Sequence, residues 1–167
     1  MRLVVCDTGP LLHLSEVGRL DLLSSAGTIA IPAAVAEELD FHLPAWGLNR
    51  PDWIRVDVLS PDAADQAIAW QTSGMLHAGE AESLALARQA RCDWYLTDDA
   101  AARIFASSLG LEVHGTIGVV LWAAATGVLD KPETEFLLDR LANDSSLWVS
   151  PRILSEAKSA LDQLCSR

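Results

Sequence analysis

Acidic residues recur at four separated places in this chain, each beside an apolar segment: Asp7 in LVVCDTGP, Glu38 in IPAAVAEEL, Glu80 in HAGEAESLALA, and Asp98-Asp99 in WYLTDDAAARIFA. Carboxylates brought into one crevice repel each other, and a fold that gathers them generally holds a cation there. Hard oxygen donors of this kind suit Mg²⁺ or Mn²⁺. A carboxylate cleft around such an ion points first to phosphodiester hydrolysis.

Each acid also has a plainer reading. Asp7 fits a helix N-cap, although Thr8 is available for that role and Gly9-Pro10 already starts a helix well. In Glu37-Glu38, helical geometry separates the two: Glu38 falls on the apolar side with Val35 and Leu39, while Glu37 faces away and reads as solvated. Glu80 follows Gly79 at a helix start, where it complements the dipole, yet it shares a face with Leu84 and Ala87. Glu82 points elsewhere and reads as surface. One residue of Asp98-Asp99 explains a cap; the second lacks a structural reason. Arg103, one turn after Asp99, forms an i,i+4 pair in the plain reading, and orients a carboxylate or meets a phosphate in the functional one.

Other chemistries are poorly represented. His13, His42, His77 and His114 show no HxxxH or HExxH spacing, which argues against zinc. GxxxxGK[ST], GxGxxG and GxSxG are all absent. A phosphatase or phosphoacceptor site would want a second acid beside Asp7, and Thr8 stands there instead. Tyr95 and the six Trp read as core and loop anchors, with Trp46 and Trp53 as possible partner-facing exceptions.

These residues must be positioned by alternating elements. RLVVC, TIAIP, IRVDVL, DWYLTD and LEVHG read as strands, and the segments between them are helical, with Gly18 a break inside GPLLHLSEVGRLDLLSSAG. HLPAWGLNRPDW, with two Pro and a Gly, reads as an irregular loop. Alternating βα units with short apolar strands imply a parallel sheet covered by helices on both faces. Sites in such sheets lie beyond the carboxyl ends of strands, where Asp7 and Asp98-Asp99 fall. TIGVVLWAAATG, ETEFLLDRLAND and PRILSEAKSALDQL make a helical C-terminal third, and 167 residues without a linker or repeat suit one domain.

Composition bounds the setting. Half the residues are apolar and 21% are charged, as in a globular protein. The apolar stretch IGVVLWAAATGVL is shorter than the ~20 residues of a membrane span. Only four apolar residues stand between Arg2 and Asp7, so no leader is visible, and Cys6, Cys92 and Cys165 are widely spaced; both point to a reduced, cytoplasmic protein. The net charge of −11 sits awkwardly with binding nucleic acid. It is eased by a metal at the acidic site and by the fact that 10 of the 12 basic residues are Arg, the better phosphate fork.

Taken together, DTGPLLHL, PAAVAEEL, GEAESLALA, YLTDDAAARIFA and HGTIGVVLWAAATGVL resemble a PIN-domain protein, in order over roughly residues 3 to 130. The nearest branch is the one with a GEAEA-type third motif and a DD-x-x-AR fourth motif. The resemblance implies a three-layer α/β/α fold on a five-stranded parallel sheet, with residues 130–167 as a helical extension. It implies an Mg²⁺- or Mn²⁺-dependent ribonuclease, often the VapC-like toxin of a toxin–antitoxin pair, with a small antitoxin as partner and a homodimer as the assembly. The family's acids fall on Asp7, Glu38, Glu80 and the Asp98-Asp99 step, with Asp7, Glu80 and Asp98/Asp99 as metal ligands. Thr8 and Thr116 match its small hydroxyl positions. Glu80 departs from the Asp common at the third acid, and Asp98 and Asp99 are equally good fourth ligands. The rival reading is a PIN-fold binding or regulatory protein that cleaves little and acts through a protein partner.

Overall fold

The apolar runs form five short strands in the computed structural model, which describes residues 1–166. These are β1 (Leu3–Cys6), β2 (Thr28–Ile31), β3 (Ile54–Val56), β4 (Trp94–Leu96) and β5 (Val113–His114). All pair in parallel, in the order β3-β2-β1-β4-β5. Side chains alternate across the sheet: Val4, Cys6, Ile29, Ile31 and Leu96 enter one core, whereas Val5, Ala30 and Tyr95 enter another. Both faces are therefore buried, which is why the strands read as unbroken apolar runs. The architecture is the α/β sandwich on a five-stranded parallel sheet that the sequence leads one to expect.

The helices are α1 (Thr8–Glu16), α2 (Asp21–Ala26), α3 (Ala33–His42), α4 (Trp46–Asn49), α5 (Pro61–Thr72), α6 (Ala78–Ala90), α7 (Ala100–Ser108), α8 (Thr116–Ala125), α9 (Lys131–Asp144) and α10 (Pro151–Cys165). Helices α5, α6 and α7 cover one face of the sheet through Trp70, Leu84 and Ala106. The other face carries Leu11 and Leu14 of α1, Leu22 and Leu23 of α2, Val35 and Leu39 of α3, and Val119 and Val120 of α8, with α9 and α10 joining through Leu138 and Ala157. Gly18, with φ near 70°, separates α1 from α2 in a left-handed turn that glycine adopts without a Cβ penalty. No helix among the described residues is long and apolar enough to cross a membrane.

Two expectations need correction. HLPAWGLNRPDW is not wholly irregular: it contains α4, and Trp46 is only 6% exposed, packed into the main core. Trp53 is half-buried against the same core. Burying so large an apolar area outweighs presenting it to solvent, so Trp46 offers no free surface.

The strand order reverses between β1 and β4, leaving a crevice beyond their carboxyl ends, where ligands bind in open parallel sheets. The two strand ends are tied together there by the Asp7 amide, which donates to the Leu96 carbonyl at 2.8 Å. Asp7 leaves β1 into this crevice and Thr97, Asp98 and Asp99 leave β4 into it.

Candidate active site

Asp7 caps α1 and is only 5% exposed. One carboxylate oxygen accepts from the Thr8 amide at 2.8 Å, the other from the buried Thr97 hydroxyl at 2.9 Å. Burial pushes its pKa up to about 7, against the pull of those two hydrogen bonds, and the charges of Glu80 and Glu38 add to the rise. The cap and the inward position therefore belong to the same residue. Thr8, released from capping, donates its hydroxyl to Glu38 Oε2.

Glu38 projects from the half-buried side of α3 while Glu37 is exposed, as helical geometry requires. Its Oε1 accepts from the Gly79 amide at 2.9 Å. The glycine of the GEAE segment leaves room for this contact: a Cβ at residue 79 would lie 2.5 Å from Glu38 Oε2 and 2.7 Å from Oε1, so the Glu38 carboxylate would have to shift. Glu80, one residue on, closes a capping box at the start of α6 by accepting from the His77 amide at 2.9 Å. Glu82 is not free surface: its Oε2 accepts from the Ala34 amide at 3.2 Å, satisfying one of the orphan donors at the start of α3.

The adjacent Asp98 and Asp99 have different partners. Asp99 is exposed and caps α7, accepting from the Ala102 amide at 2.7 Å. Asp98 turns inward, and its Oδ1 accepts from the Thr116 amide at 2.7 Å. Its Oδ2 meets the Thr116 hydroxyl at 2.6 Å and His13 Nδ1 at 2.7 Å. Burial works to raise the Asp98 pKa, but the hydrogen bonds from His13 and Thr116 together hold it below the usual carboxylate range. Arg103 forms no ion pair with Asp99 among the described residues. It reaches instead toward Gly115, where a Cβ would stand 2.7 Å from the guanidinium and 2.8 Å from Asp98 Oδ1.

A cleft of about 560 Å³ is lined by Asp7, Glu38, Glu80, Asp98 and Asp99, with Thr8 on its wall. Arg103 and Gly115 lie in the adjoining groove, which Asp98 also lines. His13, Thr97 and Gly79 are the contributors that the residue patterns missed. For His13 the one local signal is Gly9 a turn earlier on α1, which leaves room beside Asp98. No three His, Cys, Asp or Glu side chains among the described residues converge at metal-ligand distance, and each carboxylate of the cleft accepts from a protein donor. The carboxylate and hydroxyl oxygens that crowd around the buried Asp7 have the chemistry of a hard-cation site, with His13 and His77 beside them, and the residues fit a divalent ion in that sense.

A helix-covered parallel sheet whose switch point opens into a carboxylate crevice defines an α/β domain of the acidic-cleft class. A family model described as a PIN domain matches residues 3–163, and the chain belongs to the PIN-domain family. No curated protein matches the chain. PIN domains are generally nucleases, and those nucleases generally use divalent metal ions.

Proposed function

We propose that the protein is a metal-dependent ribonuclease that hydrolyses RNA phosphodiester bonds in the cytoplasm, as the toxin of a toxin–antitoxin pair. The observation that carries the reading is the shared cleft of Asp7, Glu38, Glu80 and Asp98, in which Asp7 is buried and pushed up to about 7 by burial and by its acidic neighbours. So costly a cluster is best explained by a cation that offsets it. Asp7, Glu80, Asp98 and Asp99 would hold Mg²⁺ or Mn²⁺, which when bound lowers the pKa of a water and offsets charge on the phosphate.

The surrounding residues have separate tasks in this proposal. Glu38, held by Thr8 and Gly79, faces the cleft as the acceptor for a proton from the attacking water. Thr116 and His13 fix the orientation of Asp98. Arg103, free of a carboxylate partner among the described residues, meets substrate phosphate. A small antitoxin with a basic segment complements the −11 charge, and the active unit is a homodimer of single-domain chains.

Cleavage of a mixed, labelled RNA pool with Mg²⁺, Mn²⁺ or EDTA tests the reading, comparing wild type with Asp7→Asn. Metal-dependent cleavage that disappears in the variant is the expected result; equal cleavage by both proteins would remove the acidic cluster from the chemistry. A second reading, a PIN-fold regulator that cleaves little, is favoured by the hydrogen bond that each carboxylate of the cleft accepts from a protein donor. Calorimetric titration with Mn²⁺ separates the two, since no binding at millimolar ion would favour the regulator.

A further inference from the structure

We propose that Trp148 and Arg103 form a nucleotide subsite beside the acidic cleft, with Trp148 stacking on an unpaired base of single-stranded RNA and Arg103 holding the adjoining phosphate. The proposal deepens the ribonuclease reading and rests on it. Five of the six Trp are buried or half-buried; Trp148 is 81% exposed. It sits in the link between α9 and α10, and that link is firmly held. Ser146 donates from its amide and hydroxyl to Glu16 at 2.7 and 2.8 Å. Leu147 and Val149 are half-buried on either side, and Ser150 caps α10 through the Ile153 amide at 3.1 Å. A large aromatic ring is thus held out to water by a backbone fixed at both ends, an arrangement that contributes nothing to the core.

Its position supplies the reason. The acidic cleft and a second groove of about 500 Å³ meet along a seam formed by Asp98, Leu147 and Trp148. The second groove is lined by Arg103 together with Gly115 and Gly118. Single-stranded nucleic acid is held by just these two elements, an aromatic face for the base and a cation for the backbone. Stacking also answers the charge problem. At a net charge of −11, long-range attraction of a polyanion is not available, whereas stacking on Trp needs none. A base on Trp148 and a phosphate on Arg103 place the next stretch of the strand at Asp98 and the acidic cleft.

The test measures binding of a short unstructured RNA oligonucleotide of mixed sequence to the full chain carrying Asp7→Asn, by anisotropy of labelled RNA and by tryptophan quenching. Trp148→Leu should weaken binding roughly tenfold and abolish most of the quenching, while Trp148→Phe retains most of the affinity. Arg103→Gln should make the slope of log affinity against log salt shallower by about 0.7. With Asp7 intact, Trp148→Leu should raise KM far more than it lowers kcat. Unchanged affinity and KM in Trp148→Leu would overturn the subsite. So would a fall in sedimenting mass in that variant without loss of RNA affinity, which would assign Trp148 to a protein interface. If the metal-loaded wild type binds the oligonucleotide through Trp148 yet cleaves nothing, the nuclease reading fails and the subsite stands. If it cleaves RNA with no dependence on Trp148 or Arg103, the subsite alone fails.

Discussion

Asp7 is where burial and chemistry oppose each other most directly. Its pKa rises from 3.8 to about 7 on folding, so the native metal-free protein holds a proton that the unfolded chain has already released. Stability from this group is complete below pH 3.8 and is lost as pH rises toward 7, by roughly 4 kcal/mol in all. Urea melts in EDTA at pH 5 and pH 8 should show about 3 kcal/mol of that fall, and Asp7→Asn should flatten it. Divalent ion should restore stability at pH 8 in wild type and not in the variant, because it competes with the proton for the same oxygens. The Asp98-Asp99 step is separable in the same way. Asp99→Ser keeps an α7 cap and should leave stability close to wild type while lowering metal-dependent cleavage, whereas Asp98→Ala strands the Thr116 amide and His13 and should cost about 1–3 kcal/mol together with a large loss of cleavage. Thermal melts and RNA turnover measured on the two variants decide which of the pair matters.

Element by element, the site is a set of helix starts aimed at one crevice. Helices α1, α6 and α7 each begin with an acid of the cleft as cap or capping-box partner, so the same carboxylates that crowd the crevice also satisfy orphan amide donors. Helix α3 contributes from its side instead, and the approach of α3 to the first turn of α6 is what Gly79 allows. Gly79→Ala would ordinarily favour a helix by about 0.5–1 kcal/mol. Here the methyl meets the Glu38 carboxylate, so the substitution should destabilise the protein and lower cleavage. In a Glu38→Ala background the sign should revert to neutral or stabilising; a double-mutant cycle by urea unfolding measures the difference.

At the scale of the whole molecule, the C-terminal helices bear on both stability and the site. Leu161 of α10 is fully buried, and Lys158 reaches Asp139 of α9 at 2.6 Å. Leu161→Ala should cost about 2–5 kcal/mol by cavity formation. If residues 130–167 fold with the rest, urea should report one cooperative transition at a lower midpoint; two transitions would mean that α9 and α10 form a separate unit. The loop bearing Trp148 lies between these helices, so a loosened α10 should also weaken RNA binding.

The strands announced themselves because a sheet buried on both faces demands continuous apolar runs, as in LVVC, TIAI and WYL, and the alternation with helices then leaves few topologies. The faint cases were local competitions: β5 has only two residues, and α4 hides in a Pro- and Gly-rich stretch whose composition argues for a loop. Residue types likewise marked Asp7, Glu38, Glu80 and Asp98-Asp99, because carboxylates beside apolar segments stand out along a chain. What each carboxylate touches did not follow. Thr97 meets Asp7 across 90 residues, His13 meets Asp98 across 85, and Gly79 meets Glu38 across 41. Nor did the exposure of Trp148 or the burial of Trp46, since one Trp looks like another until the elements around it are packed. Helical and strand periods fix which way a side chain leaves its own element. Only the order of strands in the sheet, and the distances it sets between elements, decides which side chains from distant segments meet.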